Sequence, residues 1–101
     1  MVSFYPTLFP LPRIMDLTLV GRLLSHRPAN FDALTRTFLM LLRPTKGVNI
    51  RRVAENRYCF VFNHIVDLRR TLSLRPWTFD CNLLIIQPLS LGAVPKDFLL
   101  D

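Results

Sequence analysis

Glycine is scarce in this 101-residue chain, with Gly21, Gly47 and Gly92 the only three. Neither GxxxxGKS/T nor GxGxxG occurs, so no backbone cradle for a nucleotide phosphate can be assigned. An acylphosphatase-like activity needs a glycine-rich anion loop after the first strand, and SHRPAN (25–30) does not supply one. Cysteine is nearly as scarce. Cys59 and Cys81 have no CxxC spacing, and neither His26 nor His64 has a cysteine or carboxylate at ligand spacing. That argues against a structural zinc site within the chain, and no metal or cofactor is expected. Both thiols are expected to be free, in a reducing compartment such as the nucleus or cytoplasm. No apolar run approaches the roughly 18 residues that span a bilayer, so no membrane is expected. The opening MVSFYPTLFPLPRIM is apolar, but Pro6, Pro10 and Pro12 interrupt it and no basic stretch precedes it. It reads as an extended arm over 1–15, not as a signal peptide.

Acidic residues are the third scarcity: 7 Asp and Glu stand against 13 Lys and Arg, for a net charge of +6. The imbalance is concentrated. Eleven of the basic residues lie between Arg22 and Arg75, opposed there only by Asp32, Glu55 and Asp67. Nearly all are arginine, which contacts phosphate in a planar, bidentate way and stacks on bases. A polyanion partner follows, nucleic acid before membrane surface; the plain alternative is a basic surface that serves only solubility. Half the residues are apolar, enough for one small core and too many for a disordered chain.

Hydrophobic periodicity divides the chain into six elements. DLTLVGRLL (16–24) alternates through Leu17, Leu19 and Leu23 as a strand. Asn30 is placed to cap a helix over FDALTRTFLMLLR, whose Phe31, Leu34, Phe38, Leu41 and Leu42 share one face; Pro44 and Gly47 end it. GVNIRRV (47–53) and RYCFVFN (57–63) form a hairpin about the turn AENR. HIVDLRRTLSL (64–74) is a second helix, with Asp67 three residues before Arg70 as a helix-stabilising pair. WTFDCNLLIIQ supplies one last strand, so the predicted domain spans 16–91 and 92–101 is a tail. The order β-α-β-β-α-β predicts an α+β, ferredoxin-like fold of the RNA-recognition-motif kind: an antiparallel sheet in order 4-1-3-2 with two helices on one face. In that order Cys59 and Cys81 sit on non-neighbouring strands, too far apart to bridge.

LVGRLLSHRPANFDAL, LLRPTKGVNIRRV, YCFVFNHIVDLRRTLSLRPWTFD and NLLIIQPL resemble the plant "domain of unknown function 4283" over about 16–91. The marks are VGR in the first strand, RP before the first helix, DLRR in the second, and PW ahead of an apolar strand. The resemblance implies a gag-like, retrotransposon-derived module that associates with nucleic acid without catalysis. Members of that family continue into a CCHC zinc knuckle; this chain is expected to be an isolated copy truncated before it.

The candidate site residues follow from charge and alternation. Arg51, Arg52 and Arg57 flank the hairpin, Arg22 lies in the first strand, and Arg69 and Arg70 lie on the second helix. Arg51 alternates away from Ile50 and is the first choice for contact with a nucleic-acid backbone from the open sheet face. NRYCFVFN half-matches the base-stacking strand of an RNA-recognition motif, with Tyr58 and Phe60 at the stacking positions but no glycine at Arg57 and no aromatic at Asn63. Alternation places Tyr58, Phe60 and Phe62 on one face: outward they make a stacking platform, inward they are core. Trp77, the only tryptophan, reads as a structural post closing the core under the second helix, with Phe79 on its face by alternation; Phe38 and Phe62 are also read as structural. The function expected is a non-enzymatic nucleic-acid-binding module, with single-stranded RNA favoured over DNA and no small-molecule substrate. The alternative is a protein-interaction or homodimerisation module that uses the open sheet face.

Overall fold

The computed structural model describes residues 14–89, so the arm and the tail predicted at the two ends fall almost wholly outside it. A single 3₁₀ turn at Ile14–Leu17 leads into β1 (Thr18–Leu23). There follow α1 (Phe31–Leu42), β2 (Val48–Ala54), β3 (Arg57–Phe62), α2 (Ile65–Ser73), β4 (Trp77–Phe79) and β5 (Asn82–Pro88). The strands form one antiparallel sheet in the order β2-β3-β1-β5-β4. With β5 in the place of the fourth strand this is the 4-1-3-2 order of a ferredoxin-like α+β fold.

The one departure in topology is at the last strand, which is a hairpin and not a single run. Asp80 and Cys81 take φ of 53° and 66°, a left-handed pair that reverses the chain in two residues. Asn82 braces the reversal by donating from Nδ2 to the Asp80 carbonyl at 3.0 Å. β4 thereby becomes a three-residue edge strand that pairs Trp77 with Leu84.

Each helix starts on a side-chain cap. Oδ1 of Asn30 accepts from the Ala33 N–H at 3.0 Å, and Nδ1 of His64 accepts from the Val66 N–H at 3.0 Å. These caps satisfy N–H groups that the first turn leaves without partners. Leu34, Phe38 and Leu42 of α1 are buried, whereas Leu41, expected on the same face, is 58% exposed. The i+4 step from Phe38 reaches Leu42, and the i+3 step to Leu41 swings out of the narrow last turn.

Both helices cover the face carrying Leu19, Leu23, Tyr58, Phe60, Phe62, Leu84 and Ile86. Phe38 packs its ring 4.9 Å from that of Phe60 and 4.6 Å from that of Trp77. Gly21 lies between Tyr58 and Ile86 in register, and a Cβ there would stand 2.8 Å from the Phe60 ring. The missing side chain is what lets that ring lie against the central strand. Trp77 is buried and donates from Nε1 to the Thr71 carbonyl at 2.8 Å, which ties β4 to α2.

Candidate nucleic-acid interface

The face of the sheet opposite the helices is read from the register. Alternation that turns Leu19, Gly21 and Leu23 toward the helices turns Thr18, Val20 and Arg22 away. On β3 the residues turned away are Arg57, Cys59 and Val61, and on β2 they are Asn49 and Arg51. Arg22 stands directly opposite Arg57, and Cys59 lies between Val20 and Arg51. Three of the arginines chosen from the sequence therefore meet on one face, on three neighbouring strands. Ile85, paired with Arg22, and Leu83 continue that face as apolar surface, 42% and 41% exposed.

The other three arginines are elsewhere. Arg52 pairs in register with Tyr58 and so belongs to the helix-side face, at the strand end. The register slips between Arg52 and Ala54, leaving Val53 as an extra residue that bends the edge strand. Arg69 is exposed on α2, on the covered side of the sheet. Arg70 has structural work: its guanidinium donates to the carbonyls of Leu42 and Arg43 at the end of α1 and lies 3.9 Å from the Asp67 carboxylate. Carbonyls at a helix C-terminus lack intrahelical partners and carry partial negative charge, which an arginine relieves. Arg70 thus caps the end of α1, on the helix side of the sheet.

The stacking reading of Tyr58 and Phe60 is corrected by the burial of both rings. Both are 0% exposed, and Tyr58 stacks on Phe31 at 5.9 Å with an 11° interplanar angle. Burial pushes the Tyr58 phenol above its ordinary pKa, with Arg52 pulling weakly the other way. The strand sits one residue out of phase with a base-stacking strand and presents Arg57, Cys59 and Val61 where aromatics would be needed.

Asp67 makes the pair with Arg70 that the sequence leads one to expect, and does more besides. It is fully buried, and its carboxylate accepts from the N–H of Lys46 at 2.8 Å and from the N–H and hydroxyl of Thr45 at 3.0 and 3.1 Å. The DLRR segment thus staples the α1–β2 loop through Asp67 and the end of α1 through Arg70.

Sequence reading passed over Asn56 as a turn residue. Its φ of 58° and its side chain do more. Nδ2 donates to the Arg27 carbonyl at 2.9 Å and the Ser25 carbonyl at 3.4 Å, and Oδ1 accepts from the Ala29 N–H at 2.9 Å. One side chain thus fixes the β1–α1 loop against the β2–β3 turn. Beside this hub is a cavity of about 440 Å³ lined by Arg22, Ser25, His26, Glu55 and Arg57 among others. A second, of about 550 Å³, shares Leu23, Ser25 and His26 with it and reaches Phe79 and Asn82. The signal for the hub was an asparagine in a two-residue hairpin turn, where it tolerates left-handed backbone.

Among the described residues no group of three or more His, Cys, Asp or Glu is arranged to hold a metal ion. No helix there is long and apolar enough to cross a membrane. Cys59 and Cys81 are both free thiols, the first half-buried and the second exposed. No curated protein and no solved structure matches the chain. The family model described as Domain of unknown function (DUF4283) matches residues 15–97, most of the chain, and the protein belongs to that family.

Proposed function

We propose that the domain is a non-enzymatic nucleic-acid-binding module that holds a single strand, RNA before DNA, across the sheet face opposite its helices. The observation that carries this reading is the placement of Arg22, Arg51 and Arg57 on one face of three neighbouring strands, Arg22 opposite Arg57 and Arg51 opposite Cys59, the next residue of that face on β3. The core claims the aromatics, so arginine–phosphate contacts dominate and sequence preference is weak. On the same reading the module is gag-like and retrotransposon-derived, of the plant type its VGR, DLRR and PW segments resemble, and works in the nucleus or cytoplasm.

Fluorescence anisotropy with a labelled single-stranded RNA tests this at two salt concentrations. Affinity should fall with salt by about 0.7 in log–log slope for each phosphate neutralised. Arg51→Gln should reduce that slope by about one such step, and Arg69→Gln should leave it unchanged. Binding indifferent to salt, or absent at low salt, would refute the reading. A second reading draws on exposed Leu83 and Ile85 beside half-buried Val61 on the same face: a protein-interaction or homodimerisation surface. Concentration-dependent dimerisation lost on Ile85→Lys would favour it.

A further inference from the structure

We propose that the outer edge of β2 pairs with β2 of a second copy, antiparallel and in one register, so that two domains share a continuous sheet. This goes beyond the nucleic-acid reading and does not depend on it. β2 is the outermost strand on its side of the sheet, and among the described residues nothing pairs with its other edge. The Asn63 N–H donates to the Gly47 carbonyl at 3.1 Å. That turns the backbone of Gly47, and by alternation that of Asn49 and Arg51, toward β3. The N–H and C=O groups of Val48, Ile50 and Arg52 therefore point out of the sheet. The bulge begins only after Arg52, so 48–52 is a regular run with Ile50 at its centre. About a two-fold axis through Ile50 that run is its own complement: each outward group meets one on the other copy.

Charge selects the register. Asn49, Arg51 and Arg52 are exposed, and arginines on an edge strand guard it against pairings in which like charges meet. With the axis at Ile50, Arg51 stands opposite the partner's Asn49 and Arg52 opposite the partner's Val48, so no arginine opposes another. Every neighbouring register fails on this count. An axis at Asn49 sets Lys46 against the partner's Arg52, and an axis at Arg51 or at Arg52 sets that arginine against its own copy. The apolar side chains agree with the same choice. Val48 and Ile50 are half-buried at the margin of the core. Pairing sets Ile50 against its own copy and lays the stem of the partner's Arg52 over Val48, which extends the core across the axis.

Sedimentation equilibrium of the full chain at physiological salt, without nucleic acid, tests this. The chain should dimerise as concentration rises, and weakly, since one strand edge is a small interface. Asn49→Glu sets a carboxylate opposite the partner's Arg51 on both sides of the axis and should tighten association about fivefold. Asn49→Lys sets like charges there and should weaken it by a similar factor. Thr78→Glu, the same charge change at an exposed position of the far edge strand, should do neither. Val48→Pro removes an N–H that the monomer directs outside its own sheet, so it should weaken the dimer while the dilute chain melts as before. A dimer indifferent to the Asn49 and Val48 variants but lost on Ile85→Lys lies on the sheet face and overturns the edge assignment. A chain that stays monomeric at the highest concentration also overturns it, and leaves this edge to a strand of another protein.

Discussion

The carboxylate of Asp67, on α2, accepts a 2.8 Å hydrogen bond from the backbone N–H of Lys46, 21 residues away in sequence but adjacent in space. Burial alone would raise this carboxyl's pKa. The N–H groups of Lys46 and Thr45, the Thr45 hydroxyl and the charge of Arg70 outweigh burial and hold it below its ordinary value. A carboxyl whose pKa is lower in the folded state contributes stability above its unfolded pKa of about 4, and that contribution is lost as pH falls through the folded value. Asp67→Asn should therefore cost about 2–4 kcal/mol at pH 7, because an amide turns a donor toward groups that need an acceptor. The gap between variant and parent melting temperatures should narrow at pH 3. A gap that is constant with pH would show the carboxylate charge to be irrelevant.

The Tyr58 hydroxyl is buried without a hydrogen-bond partner, so removing it should help. Tyr58→Phe keeps the stack on Phe31 and deletes a polar atom that lost its water on folding. The expected change is stabilisation by about 1 kcal/mol, read from urea unfolding. Destabilisation would mean that the hydroxyl has a bound water or ligand as partner.

Gly21→Ala should act in the other direction. The new Cβ would stand 2.8 Å from the Phe60 ring, which is itself fully enclosed against Phe38. Overpacking of this kind costs about 1–3 kcal/mol. Pairing the change with Phe60→Leu should recover part of the loss, and a double-mutant cycle measures the coupling.

The order of elements was legible because each rests on a local signal: the Asn30 cap, the apolar stripe of α1, the alternation through Tyr58, Phe60 and Phe62. The Asp80–Cys81 reversal was not, because neither residue is a glycine and the apolar run through Leu83–Ile86 masks the break. The face of β3 could not be settled from β3 alone. A slip of one residue inverts it, and the deciding residue is Gly21 on another strand, whose bare backbone invites the Phe60 ring. The arginine cluster was half legible. Arg51 could be placed by alternation from Ile50, but the opposition of Arg22 and Arg57 is a property of register, which no stretch of sequence states. The capping role of Arg70 was not legible, because its partners, the carbonyls of Leu42 and Arg43, leave no mark in side-chain chemistry.

The two free thiols, one on β3 and one in the β4–β5 turn, can test the proposed binding face. Cys59 is half-buried on the face between Val20 and Arg51, and Cys81 is exposed in the β4–β5 turn. Burial raises the Cys59 thiol pKa, and the nearby Arg51 guanidinium lowers it in part. Since the thiolate is the reacting species, Cys59 should react slowly with a disulfide reagent at pH 7 and accelerate as pH rises past the ordinary thiol range. Arg51→Gln removes the opposing charge, so at fixed pH it should slow Cys59 further without changing Cys81. Single-stranded RNA lying across the sheet face opposite the helices should protect Cys59 while Cys81 continues to react. Mass spectrometry of the labelled peptides reads both sites in one experiment. Protection of Cys81 alone would move the strand off the sheet face to the β4–β5 turn, and the arginine row would then need another partner.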